Sequence, residues 1–195
     1  CAIYNGNNKL EFKDRKEFTG SVLKQVNDTF EYLKNAILYS TNYISNIGNF
    51  DVQTKINNVF KMVQCIKEFS KNEWERKRDV VLFLLLYCCG LRISEALSLK
   101  NSDFISKDKI KVLGKGKKER ILYILPLVVD LIEDYKKICP YNTNKMLFLS
   151  KTGKKYSATV FEKLIQNVRI GLNLPDNITP HSLRHSFATE LLSGG

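Results

Sequence analysis

Apolar side chains return every three or four positions along several stretches of this chain, the spacing that lines one face of an α-helix. Leu23, Val26, Phe30, Leu33 and Ile37 form one stripe, and Ile56, Val59, Phe60, Val63 and Ile66 form another. An unbroken apolar run, VVLFLLLYCCGL from Val80, follows the charged stretch ERKRD. It is too short to span a bilayer, so it reads as a buried core helix. Gly90 at its end suits the left-handed position that closes a helix.

LRISEALSL then starts a further helix, and between Phe104 and Pro126 the pattern changes. Two β-prone runs, KIKVLG and RILYIL, flank KGKKE and predict a hairpin. PLVVDLIEDYKKIC restores a helix with Pro126 at its first position. MLFLS predicts a short strand, SATVFEKLIQNVRIGL a helix, and TPHSLRHSFATELL a last one. At the other end, AIYNGNNKLEF predicts two short strands around an Asn-Gly turn. Residues 46–51, NIGNFD, carry loop chemistry and mark a boundary between an N-terminal segment, 1–50, and a main domain, 51–195. The fold class expected is mainly α with a small β-sheet or hairpin.

Length and composition narrow the picture. A chain of 195 residues holds one domain with a proper core, or one domain and a smaller appendage. With 44% hydrophobic and 26% charged residues, it has the make-up of a folded protein. Thirty-one Lys and Arg against 20 Asp and Glu give a net charge of +11, which favours a polyanionic partner, nucleic acid first. The excess is uneven: residues 1–50 carry six basic and five acidic groups, and the remainder carries 25 and 15. None of the five cysteines forms a CxxC pair, and Cys88 and Cys89 sit inside the apolar run. A reducing compartment, the cytoplasm, is expected. Beginning with Cys rather than Met, the chain is expected to be a fragment or a processed product.

Three stretches carry chemistry. In TPHSLRHSFATELL, Thr179 is a good N-cap and Pro180 suits the first helical position, so His181 and Arg184 share a face of the opening turns. Imidazole and guanidinium beside the unpaired N–H groups of a helix start make an anion pocket, phosphate above all. In GLRISEALSL, Arg92 stands three residues before Glu95, whose carboxylate can orient the guanidinium. In KIKVLGKGKKER, Lys109, Lys111, Lys115, Lys117, Lys118 and Arg120 crowd around two glycines, with Lys115 at the tip of the hairpin, where a flexible amine can reach a phosphate ester. The bland alternatives are a capping histidine, a surface ion pair and a solvated charged turn.

In this order, GLRISEALSL, VLGKGKKER, LFLSKTGK and ITPHSLRHSFATELL resemble segments of the tyrosine recombinase and integrase family, closest to its bacterial Xer-type members, from about Ile56 to Gly195. The resemblance implies the family's catalytic-domain fold and site-specific DNA cleavage and rejoining through a 3′-phosphotyrosyl intermediate. It implies catalytic roles for Arg92, Lys115, His181 and Arg184 and supporting roles for Glu95 and His185; from the basic hairpin, Lys111, Lys117, Lys118 and Arg120 are the expected DNA contacts. Double-stranded DNA and further recombinase protomers, as a tetramer on two duplexes, are the partners it implies. No metal or other cofactor is expected, because two guanidiniums can hold the charge that builds on a phosphodiester under attack. No GxxxxGK[ST] loop, HExxH pattern or carboxylate cluster is present.

Two departures stand out. The family's attacking tyrosine lies beyond the HxxR helix, and none of the nine tyrosines here takes that place. The fold is therefore expected to be C-terminally incomplete and the fragment inactive in cleavage by itself. Residues 1–50 show one convincing helix where the family carries a four-helix clamp, so they are a remnant, an altered module or an assembly surface. The rival readings are a non-catalytic DNA-binding relic and, more weakly, a metal site built on His181 and His185.

Overall fold

The computed structural model describes residues 2–4, 10–12, 49–70, 72–114 and 118–183. Its regular elements are β1 (Ala2–Tyr4), β2 (Leu10–Phe12), α1 (Asn49–Phe69), α2 (Glu73–Cys89), the single turn α3 (Ile93–Ala96), a 3₁₀ turn (Asn101–Asp103), β3 (Phe104–Ser106), β4 (Lys109–Leu113), β5 (Glu119–Tyr123), α4 (Pro126–Ile138) and α5 (Ala158–Gly171). Residues 180–183 are again helical. The stripe Leu23–Ile37, the Asn-Gly turn and the remainder of the last helix lie outside the described residues.

α2 is the centre. Every residue from Val80 to Tyr87 is buried, which is why the stretch lacks an amphipathic period: α2 packs against both α1 and α4, so no face meets water. Gly90 closes it at φ 60°, ψ 28°, a conformation a side chain would strain. α1 turns Val59, Phe60, Val63 and Ile66 of the expected stripe inward, together with Met62, and α5 turns Phe161, Leu164, Ile165 and Val168. Pro126 starts α4, and Val128, Ile132 and Tyr135 pack into the same core.

The predicted hairpin is present, with β4 and β5 paired from Lys109↔Tyr123 to Leu113↔Glu119. Ile110 and Val112 point into the core, while Ile105, Leu113, Ile121 and Tyr123 are exposed on the opposite face. β3 adds a third antiparallel strand that the sequence pattern did not announce, with a register irregularity between Phe104 and Ser106. At three residues it is too short to display a period of two. β1 and β2 form the separate antiparallel pair expected from the opening stretch.

Two expectations need correction. Asn49, Phe50 and Asp51 lie in the first turn of α1 rather than in a loop, because Asn and Asp serve helix starts as readily as turns; residues 46–48 lie outside the described residues. MLFLS is not a strand of a sheet: it contributes only an isolated bridge, Leu149↔Lys155. Leu147, Phe148 and Leu149 are buried, and the backbone of the segment is satisfied piecemeal. Leu147 N donates to Leu99 O, Tyr135 Oη donates to Leu147 O at 3.0 Å, and Arg78 Nη1 donates to Leu149 O at 3.0 Å. A short apolar run says that a segment is buried, not which partner takes its hydrogen bonds.

Candidate functional site

The αL turn at Gly90 reverses the chain out of the core, so that Leu91 is buried while Arg92 is exposed at the start of α3. Glu95, three residues on, folds back: its Oε2 accepts from the Arg92 backbone N at 2.8 Å and its Oε1 from Arg92 Nη1 at 2.9 Å. Glu95 is buried, with 5% of its side chain accessible, whereas the Arg92 side chain is 43% accessible. The carboxylate is thus a fixed anchor, and the guanidinium is held by one corner with its other donors available to a ligand.

A second arginine completes the clamp. Arg120, on β5, reaches Glu95 with Nη1 to Oε1 at 3.1 Å and Nη2 to Oε2 at 2.8 Å. Burial alone would push the Glu95 carboxyl up, but the Arg120 fork, the Arg92 backbone N–H and the Arg92 guanidinium outweigh it and hold the group at about 2. A carboxylate depressed in the folded state stabilises the fold fully above its unfolded value, near 4.5, and that stability is lost as pH falls towards about 2. Denaturation midpoints should therefore fall between about pH 5 and about pH 3, and Glu95→Gln should remove part of that fall.

The other wall of the site comes from the start of the last helix. Thr179 is the expected N-cap: Ser182 N donates to Thr179 Oγ1 at 3.2 Å, and Thr179 N donates to Ser182 Oγ at 2.8 Å, a reciprocal cap. Pro180 and Leu183 are buried, so His181 is turned outward. Arg92 and His181, distant in sequence, line one cleft of ≈ 730 Å³ with Ser94, Thr179 and the outer face of α5, from Thr159 to Arg169.

The remaining sequence-predicted residues divide. Lys115, Lys117, Arg184 and His185 lie outside the described residues. Lys111 pairs with Glu119 across the hairpin at 3.3 Å, and Lys118 is exposed, its carbonyl accepting from Gly114 N at 2.8 Å at the base of the loop. Arg120, read from sequence as a DNA contact, is turned to Glu95. Gly114 serves a purpose the sequence did not reveal: a Cβ there would sit 3.0 Å from Nη1 of Arg120 and 3.3 Å from the Lys118 carbonyl. Among the described residues, no three His, Cys, Asp or Glu side chains are grouped to hold a metal ion. Nor is any described helix long and apolar enough to cross a membrane.

Arg92 and His181 thus open on one cleft. The sequence profile of the Phage integrase family matches residues 57–195. The chain belongs to this family. Its relatives include tyrosine recombinase XerC of Agrobacterium fabrum, 39% identical over 138 residues, which cover 69% of this chain and 44% of that protein. XerC of Rickettsia prowazekii is 34% identical over 181 residues, covering 89% of this chain and 59% of the relative. That share is too large to fit within residues 57–195, so the similarity reaches back towards the N-terminal segment. Among solved structures, XerH site-specific recombinase bound to palindromic difH substrate, a post-cleavage complex, matches with a TM-score of 0.57 and 26% identity over 69% of this chain and 40% of that chain. XerA recombinase, at 24% identity and a TM-score of 0.58, shows the same fold. The chain thus has the tyrosine recombinase catalytic-domain fold and spans about half the length of the XerC proteins it matches.

Proposed function

We propose that residues 51–195 are the catalytic domain of a site-specific recombinase that cuts and rejoins duplex DNA in the cytoplasm, with residues 1–50 a partial or altered core-binding module. The observation that carries the reading is the shared cleft: Arg92, anchored by Glu95, faces it together with His181.

In the proposed reaction, a tyrosine hydroxyl from a segment following residue 195 attacks the scissile phosphorus. The Tyr O–P bond forms, the P–O5′ bond breaks, and the 3′ end is left as a phosphotyrosine. Arg92 and Arg184 hold the two non-bridging oxygens, where negative charge builds. His181 takes the tyrosine proton or steadies the phosphate, and Lys115 gives a proton to the departing 5′ oxygen. The phosphotyrosine keeps the energy of the broken linkage, so attack by a 5′ hydroxyl reseals a strand without nucleotide hydrolysis. Charge neutralisation by guanidiniums leaves no step that calls for a metal ion. Further protomers, four on two duplexes, are the proposed assembly.

The test uses the full-length gene product and a duplex selected from a randomised pool, nicked so that the cleaved end diffuses away. A detergent-stable protein–DNA adduct that forms in the presence of a chelator, and is lost on Tyr→Phe substitution of the nucleophile, is expected. Tight, sequence-selective binding with no adduct would instead support a non-catalytic relic.

A further inference from the structure

Arg120 is committed to a single carboxylate. Its two Nη atoms fork onto both oxygens of Glu95, at 3.1 and 2.8 Å, while Arg92 occupies the same two oxygens from the other side through Nη1 and its backbone N, at 2.9 and 2.8 Å. One buried carboxylate therefore joins β5 to the start of α3. Gly114 leaves the space through which the Arg120 guanidinium passes. The register places Arg120 opposite Val112, so the anchor grips the hairpin near the mouth of the loop that contains Lys115.

We propose that Arg120 is a positioning residue of the recombination site and not a DNA contact. Through Glu95 it holds the Arg92 guanidinium in one orientation, and by tying β5 to α3 it fixes the base of the Lys115 loop relative to Arg92. The inference rests on the recombinase reading. Without the fork, Glu95 is free to rotate onto Arg92 alone and the hairpin loses its tether to α3. A displacement of about 1 Å in a reacting group can cost about 100-fold in rate, which is the scale expected. A lysine cannot replace Arg120 fully, since an ammonium cannot span two carboxylate oxygens as a planar fork does.

The experiment compares Arg120→Met, Arg120→Lys and Lys118→Ala in the full-length protein, reading the rate of adduct formation at saturating DNA and the salt dependence of DNA affinity. Arg120→Met should cleave about 100-fold more slowly while keeping the wild-type salt slope, and Arg120→Lys should recover part of the rate. Lys118→Ala should lose about 0.9 from the salt slope, as one phosphate contact would. A substrate with sulfur at the 5′ bridging position, whose leaving group needs no proton, should rescue Arg120→Met more than it rescues Arg92→Ala. The proposal is overturned if Arg120→Met loses a phosphate contact's worth of salt slope and cleaves normally at saturation. Should Arg120→Met not fold, the Lys variant carries the same two readouts. A wild-type protein that forms no adduct would defeat the recombinase reading instead; an unchanged salt slope in the Arg120 variants would still support, and a reduced one overturn, its assignment away from DNA.

Discussion

Arg92→Ala should lower the rate of covalent adduct formation by about 1,000-fold or more, equivalent to about 4 kcal/mol of transition-state stabilisation, with a much smaller loss of DNA affinity. The asymmetry follows from geometry. Glu95 already neutralises part of the Arg92 charge, so a ground-state phosphate gains only modestly from it. In the transition state a phosphoryl oxygen gains charge against a guanidinium that needs no reorganisation, because its backbone N–H and its Nη1 are both fixed on the same carboxylate. Arg92→Lys keeps the charge and loses the fork, so its loss should be smaller than that of the alanine variant but still severe. Arg184→Ala should fall in the same range. Single-turnover cleavage of a nicked duplex at saturating protein provides the measurement. If Arg92→Ala and Arg184→Ala both retained wild-type adduct formation, the active-site assignment would be wrong.

How far the site could be read in advance depended on where each residue's partner lies. Arg92 and Glu95 are three apart on one turn, and Thr179, Pro180 and His181 follow the rules of a helix start, so local chemistry was enough to place them. The pairing of Arg120 was hidden because its partner is 25 positions away, and a lysine-rich hairpin is indistinguishable in sequence from one that spends one of its cations internally. The role of Gly114 was hidden for the same reason: the guanidinium it accommodates is a tertiary neighbour. In the fold, long helices with a complete stripe were legible, as was the all-apolar α2. β3 and the MLFLS segment were not, because a three-residue edge strand shows no period and a buried apolar run fits several backbone partners.

The charged residues at the start of α2 form the other group that required coordinates, and they set the largest expected loss of stability. In sequence ERKRD is only a charged stretch before the apolar run, yet Glu75, Arg78 and Asp79 are all buried in the first turns of that helix. Arg78 pairs with Asp79 through Nε at 2.9 Å and Nη2 at 3.0 Å, and it donates Nη1 to the Leu149 carbonyl at 3.0 Å. Its guanidinium lies 3.8 Å from the Tyr156 ring centroid and 5.2 Å from that of Trp74. Ser70 Oγ donates to Asp79 at 3.0 Å. The network staples α2 to the 147–156 segment, which has no sheet to hold it. Asp79→Ala would leave the guanidinium buried with only the more distant Glu75, 3.9 Å away, as a carboxylate partner, and should cost about 3–5 kcal/mol. Desolvation of both charges already offsets much of what the pair contributes, so the double variant Arg78→Met, Asp79→Leu should be more stable than Asp79→Ala alone. Chemical denaturation of the three proteins tests this ordering. A loss below about 1 kcal/mol in Asp79→Ala, the range of exposed ion pairs, would mean that water reaches the network and that the 147–156 segment is held by its apolar side chains instead.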